Sequence, residues 1–339
     1  MCRFKIACVI LKRYIIADHL PSQPMSHWIE PLEARQLLSA APLLAPSANQ
    51  LVFEQTQGYQ TATQTLTLKN SGSGRLTIKS VTLGGADAGQ FIVNGTRTRK
   101  VTLNRGASVK VTVSFMPYGV AVSGAVLQVN SNDPAHPITV IPLRGLGVSG
   151  QFGESEPSLQ RILDTFQIPV NVGDQNPLTN RLDGPGASDE VPMQLLQKAG
   201  AGPVTITALA AFTWDTSPVA TLGWYTPGTT LAAHGLFSIP AGNAQTLLPV
   251  TLGATQFDPG STAFGVFGSW PFEKHNATFS QDVLNTWNQI DAGQHAVRFY
   301  PYKNTAGQVV ANSYVVAMEQ GTNSDFQDAV LLIQNVKPA

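Results

Sequence analysis

The chain has 339 residues, of which only 12% are charged; it carries 30 glycines, 23 prolines and no formal net charge. That length accommodates two domains, each with its own core, and the Gly/Pro-rich, Thr/Val-rich mixture suits short strands and turns rather than helices. Residues 46–148 hold nine Lys/Arg against three Asp/Glu, and residues 149–339 seven against fifteen; neither half has the dense basic stripe of a nucleic-acid binder, so no nucleic-acid partner is expected.

Both cysteines, Cys2 and Cys8, lie at the extreme N-terminus, which leaves the domains without a disulfide framework or a cysteine-ligated zinc site. No apolar run reaches the roughly 18 to 20 residues of a membrane-spanning helix, so none is expected. Residues 29–40 read Ile-Glu-Pro-Leu-Glu-Ala-Arg-Gln-Leu-Leu-Ser-Ala. Through Glu33, Arg35, Leu37, Leu38, Ser39 and Ala40 this stretch resembles the LEPR-XLL motif at the start of exported bacterial proteins, with Ala34 where that motif has Pro. The resemblance implies an export segment over 1–45, an initiator at Met25 and an extracellular or cell-surface location. The small, apolar, Pro-containing stretch 40–48 reads as a processing region or linker.

Alternation is plain in residues 50–148. Val109, Val111, Val113 and Phe115 share one face of a strand, with Lys110, Thr112 and Ser114 on the other; Leu66/Leu68, Leu76/Ile78 and Leu127/Val129 repeat the pattern. This is the period of half-buried strands. Turn sequences at 70–74, 84–85, 104–106 and 130–134 separate them, which predicts an immunoglobulin-like sandwich. The sequences at 70–78, 85–91, 103–117, 130–134 and 143–147 resemble the choice-of-anchor D domain, a relative of the ASPM–SPD-2–Hydin family. That resemblance implies a spacer or adhesive module without catalytic machinery. Gly145-Leu-Gly-Val-Ser-Gly150 reads G-x-G-x-x-G, but linker-like residues follow where a dinucleotide site needs a helix. The nucleotide reading is rejected.

Residues 151–190, rich in Gly, Pro, Asn and Asp, mark a join or long loop. Strand-like runs recur in the second module, 160–339: 203–212, 221–225, 244–252, 262–266, 295–300, 313–319 and 329–336. The fold class is therefore all-β, with two β-sandwich domains, the second larger and jelly-roll-like, behind a short export segment. Residues 264–267, 279–280, 285, 295–301 and 314–335 resemble the domain-of-unknown-function family numbered 4114. Its hallmark, an acidic hairpin ending, corresponds to Met318-Glu319 followed by Asp325-Phe-Gln-Asp328. Gln320 and Gln327 depart from it.

Two strands at 313–319 and 329–336 should pair and leave 320–328 as their connection. Glu319, Asn323, Asp325 and Asp328 would then converge oxygens of the kind calcium takes, and calcium is the expected cofactor. Trp224, Tyr225 and Trp270 lie beside turn residues, where flat rings hold sugar faces in many β-sandwich lectins. The expected partner is a cell-surface or matrix glycan or protein. No H-E-x-x-H, G-x-S-x-G or P-loop occurs, so an enzyme is not expected. The competing class is a carbohydrate-active enzyme that draws a carboxylate pair from acids such as Asp258, Glu273, Asp282 and Asp291. His275 and His295 are isolated and read as structural.

Overall fold

The computed structural model describes residues 40–56, 62–94, 100–182, 187–213, 220–271, 277–286, 294–321 and 323–339. Met25, residues 29–39 of the export motif, Glu273, His275 and Asp291 lie outside the described residues. Among those described, no helix is long and apolar enough to cross a membrane.

The alternating sequence of the first half folds into β1 (Leu44–Pro46), β2 (Leu51–Thr56), β3 (Ala62–Asn70), β4 (Leu76–Gly84) and β5 (Phe91–Asn94). It continues through β6 (Val101–Leu103), β7 (Ser108–Phe115), β8 (Val122–Ser131) and β9 (Ile138–Val148). Two sheets result, ordered β1-β3-β7-β5 and β2-β9-β8-β4-β6; β2 runs parallel to β9. Period-two alternation turns Leu66, Leu68, Val111, Val113 and Phe115 of one sheet toward Ile78, Leu127, Val129 and Leu143 of the other, all buried. Phe53, Phe91 and Phe115 add an aromatic cluster, with ring centroids 5.0 to 6.1 Å apart.

Residues 40–48 correct the expectation of a linker. Strand β1 pairs with β3, Leu44 opposite Asn70, and buried Asn70 fixes the corner. Its amide donates to the carbonyls of Gly74 and Leu103, and its Oδ1 accepts from Gly72. A side chain at Gly72 or Gly74 would collide with the backbone of residues 40–43, so the turn's glycines are there to let this segment approach. Gly145 and Gly147, the glycines of the false dinucleotide motif, lie within β9. Gly145 packs under the Phe115 ring and Gly147 against the Gly119 carbonyl.

A join follows, with helix α1 (Leu159–Thr165) capped by the Ser158 hydroxyl, which accepts from Arg161 N at 3.3 Å. Beyond it run β10 (Leu196–Lys198), β11 (Val204–Phe212), β12 (Thr221–Thr226), β13 (Ala232–Ser238), β14 (Gln245–Leu247), β15 (Leu252–Gly253) and β16 (Gln256–Phe257). The chain closes with β17 (Gly265–Ser269), β18 (Thr278–Phe279), β19 (Val297–Lys303), β20 (Val309–Met318), β21 (Ala329–Gln334) and β22 (Val336–Pro338). One sheet is β14-β11-β21-β20-β19, with β16 also on β11; the facing sheet is β15-β13-β12-β17-β18. The fold is all-β sandwich throughout, with α1 the one α-helix among the described residues.

The sheet containing β20 and β21 is buried on both faces. Val316, Met318, Leu331 and Ile333 pack toward the facing sheet. Val315, Ala317 and Val330 belong to a second apolar cluster with Leu159, Ile162 and Leu163 of α1 and with Val52, Leu146 and Val148 of the first sandwich. A bulge between Ala208 and Ala210 of β11 shifts the alternation by one residue: Val204, Ile206 and Ala208 before it and Ala211 after it belong to the first of these clusters, while Ala210 and Phe212 belong to the second. The run 315–318 is apolar without alternation because neither of its faces meets water.

Candidate functional site

Strand β20 ends at Met318, paired with Ala329 at the start of β21, so Glu319 and Asp328 stand at the mouth of the connection. The loop coils through two left-handed non-glycine residues, Ser324 (φ 60°) and Phe326 (φ 57°), a conformation that costs about 1–3 kcal/mol per residue and persists where the surroundings enforce it. The Phe326 ring anchors the loop in the apolar cluster shared with the first sandwich, under the Arg298 guanidinium 4.2 Å from its centroid. With Phe326 directed there, Asp325 turns inward.

Glu319, Asp325 and Asp328 thereby bring carboxylate oxygens within 4.8 Å of one another, at 0%, 2% and 8% exposure. Backbone amides hold two of them. Glu319 accepts from Gly321 N at 2.7 Å, Asp325 N at 3.0 Å and Phe326 N at 3.3 Å, and Asp328 accepts from Gln320 N at 2.6 Å. Asp325 Oδ2 accepts side-chain amides of Asn323 at 2.6 Å and Gln327 at 2.9 Å. Asn323 is exposed and donates nitrogen to the cluster, so it braces Asp325 where the sequence suggested an oxygen ligand.

Two residues missed in the sequence complete the surroundings. Gln327 is fully buried, and its Nε2 donates at 3.0 Å to Oε2 of Glu156, a buried carboxylate from the join between the sandwiches. Gln245 donates to the other oxygen of Glu156. Nothing in Glu154-Ser-Glu156-Pro157 marks its second acid as a neighbour of residues more than 160 positions later.

Burial raises the pKa of all four carboxyls. For Glu319 the backbone donors oppose that rise. Asp325 and Asp328 are pushed well above the carboxylate range by burial and then by the negative charge of Glu319. Glu156 is raised to about 7, again by burial first, against the donors Gln245 and Gln327. Among the described residues no Lys, Arg or His forms an ion pair with any of them. Asp325 Oδ1 and Gln327 Oε1 are buried without a hydrogen-bond donor. Clustered hard oxygens, crowded negative charge and orphaned acceptors are what a divalent cation such as calcium requires.

The aromatic candidates are not gathered into a binding face. Tyr225 is fully buried, its hydroxyl 3.3 Å from Ser280 Oγ and accepting Gln281 N at 3.2 Å. Trp270 is buried at 4% exposure against Gly268. Trp224 lies within β12, stacked between His234 and Phe257 at centroid distances of 4.2 and 5.1 Å. Large rings went to the core because their burial dominates the packing energy. This removes Tyr225 and Trp270 as sugar-binding surfaces.

His295, read as isolated, sits between two acids. Its Nε2 is 2.6 Å from Glu190 Oε1 and its Nδ1 3.0 Å from Asp282 Oδ1; Arg298 also reaches Glu190 at 3.2 Å. Asp258 is paired with Lys198 at 2.6 Å on the surface.

Residues 41–148 match the family model for Cep192 domain 4. No curated protein matches the chain. Among solved structures, a protein of unknown function from Porphyromonas gingivalis W83 is 20% identical over 33% of this chain and 51% of that one, with a TM-score of 0.26. The chain thus spans about half the length of that protein. The ASH/PapD-like domain of human CEP192 (PapD-like domain 7) is 16% identical over 39% of this chain and all of its own, with a TM-score of 0.26. The periplasmic chaperone SfaE is 9% identical over 68% and 94%, with a TM-score of 0.28. The first sandwich is an immunoglobulin-like domain.

Proposed function

We propose that this chain is a secreted or cell-surface structural or adhesion protein, without catalytic activity, whose acidic hairpin is stiffened by a calcium ion. The observation that carries the reading is the trio Glu319, Asp325 and Asp328, with oxygens within 4.8 Å and no basic partner among the described residues. These residues fit calcium: each offers hard oxygen, backbone amides already orient Glu319 and Asp328, and Asp325 Oδ1 lacks a donor. Calcium would supply the positive charge that the hairpin lacks. The same burial that suits an ion keeps a substrate away, which favours a stiffening role over hydrolysis. Export rests on the resemblance of residues 29–40 to LEPR-XLL. The spacer or adhesive role of the first sandwich rests on its likeness to choice-of-anchor D, and the hairpin on its likeness to family 4114. The partner is a cell-surface or matrix protein or glycan.

Calorimetric titration of the chelator-stripped chain with calcium chloride tests the ion; one site per chain, with a rise in melting temperature, is expected. No heat and no thermal shift would sink it. Fractionation of the native host, with the chain in the medium or on the surface, tests the location.

A further inference from the structure

In the second sandwich, residues 189–196 run as a strap between β18 and β19, the edge strands of its two sheets. We propose that His295 is a proton-operated latch: as an imidazolium it fastens this strap, and without its proton the strap lifts from β19.

The strap is tied to both sheets. Val191 N donates to the Phe299 carbonyl of β19 at 2.8 Å, and Leu196 exchanges two main-chain bonds of 2.8 Å with Phe264, beside β17. Gln194 Nε2 donates to Asp282 Oδ2 at 2.6 Å, and the Gln194 carbonyl accepts the Ser280 hydroxyl at 2.7 Å. Met193 is buried in the core between the sheets, with Val191 packed against it.

His295 stands where three segments meet. It leads into β19, and its ring bridges Glu190 of the strap and Asp282 of the helical turn Asp282–Leu284, which follows β18. A carboxylate accepts hydrogen bonds and does not donate, whereas a neutral imidazole has one donor; both contacts are hydrogen bonds only when both ring nitrogens carry a proton. Loss of that proton turns a lone pair on one of the acids and removes the positive charge between them. Arg298 reaches Glu190 and Lys303 reaches Asp189, but neither forms an ion pair with Asp282.

The other titratable groups nearby are engaged elsewhere. Tyr300 of β19 donates its hydroxyl to the Val172 carbonyl, and Tyr225 of β12 accepts from Gln281 N. The Glu319 carboxylate faces its own loop, while its amide donates to the Ala296 carbonyl at 2.9 Å. The charges that act on His295 are those of Asp282 and Glu190. With the hydrogen bond to Glu190, they raise its pKa against the opposing effect of burial. The strap is therefore fastened below the ordinary value of 6.5 and released as pH rises through the raised one. Release is local, because β19 stays paired with β20. It uncovers the outer edge of β19 at Phe299, which is then open to pairing with another strand.

The test uses the full chain, as wild type and His295→Gln. Hydrogen exchange followed by mass spectrometry reads peptides over 187–196 at pH 6 and pH 9 against β21 as internal reference, with labelling times adjusted for the intrinsic pH dependence of exchange. In the wild type, the strap should lose about tenfold or more protection relative to β21 between the two pH values. The midpoint should coincide with the titration of the His295 ring followed by NMR. In His295→Gln the strap should be weakly protected, and equally so, at both. Glu54 and Glu156, each raised to about 7 by burial, titrate in both proteins, so the comparison isolates His295. If the wild-type strap keeps the same protection relative to β21 at both pH values, there is no latch; this result does not depend on the variant folding. If strap and β21 lose protection together, the effect is one of global stability and the latch is wrong. If His295→Gln shows the wild-type loss, His295 is not the group that operates the strap.

Discussion

Asp133 Oδ2 accepts the main-chain amide of Leu44 at 2.9 Å across 89 residues of sequence. The same carboxylate accepts from Ala135 at 2.9 Å and His136 at 3.3 Å. The turn at 130–134 thus does more than reverse the chain: it pins β1, the strand that follows the N-terminal segment. Burial acts to raise the Asp133 pKa, but these three amides outweigh it and hold the carboxyl below its ordinary value. A folded pKa below the unfolded one stabilises above the unfolded value near 3.8, and that contribution is lost as pH falls through the lowered folded value. Asp133→Ala should cost about 2–3 kcal/mol, by the loss of charge-assisted bonds, in urea unfolding at pH 7. The difference from wild type should shrink at the acid end. A change below about 0.5 kcal/mol, the usual range for an inert surface site, would contradict the pinning role.

The glycines of β9 give a steric prediction. A Cβ on Gly145 would meet the ring carbons of Phe115, a side chain that is itself fully buried and cannot retreat. Gly145→Ala should therefore destabilise by about 1–3 kcal/mol, as overpacked cores do. Gly124 sits on the neighbouring strand, where a Cβ would meet only the guanidinium end of Arg144 at 3.2 Å; Gly124→Ala should be close to neutral. Equal effects at the two positions, measured by thermal unfolding, would remove the packing explanation.

Legibility in the sequence followed the number of faces each strand exposes. In β8, Ser123, Ala125, Leu127, Val129 and Ser131 alternate buried with partly buried neighbours, so period two was visible. In β20 and β21 both faces are covered; their runs read as strands, but not as a sheet shared between two apolar clusters. The 244–252 run, expected as one strand, is split into β14 and β15 around a left-handed Leu248. Strand β13 escaped notice because four of its seven residues, from Ala232 to Gly235, are exposed. Chain proximity made Glu319, Asp325 and Asp328 readable as one cluster. Glu156 was not, because only the packed join brings it there; the bond from Asn323 Nδ2 to Asp325 was not legible either, because an amide side chain offers nitrogen as readily as oxygen.

His295 supplies a pH dependence. The hydrogen bond to Glu190 raises its pKa against the opposing effect of burial, and the charges of Asp282 and Glu190 add to the rise. Gln194 Nε2 in turn holds Asp282 at 2.6 Å. A histidine whose folded pKa exceeds its unfolded value near 6.5 stabilises fully below 6.5, and the contribution is lost as pH rises through the folded value. His295→Gln should remove about 2 kcal/mol near pH 6 and less at pH 9. The carboxyls of the hairpin titrate in both proteins, so the difference between the two urea profiles isolates His295. A constant difference from pH 5 to 9 would show that the imidazolium contributes nothing.

The acidic hairpin predicts opposite signs in two buffers. Without a cation, Glu319, Asp325 and Asp328 crowd negative charge into a site shielded from water, where removing one carboxylate relieves repulsion and desolvation together. Asp328→Asn keeps an oxygen to accept the Gln320 amide, so in EGTA its melting temperature should equal or exceed that of the wild type. With calcium at a hundred times its dissociation constant, the wild type should gain about 2.7 kcal/mol and the variant much less. The order of stability therefore inverts between the two buffers. A merely structural aspartate predicts the same difference between Asp328→Asn and the wild type in both buffers, because the hydrogen bond from Gln320 N, kept or weakened, does not depend on the ion. Thermal unfolding of the two proteins in EGTA and in calcium separates these cases in four measurements.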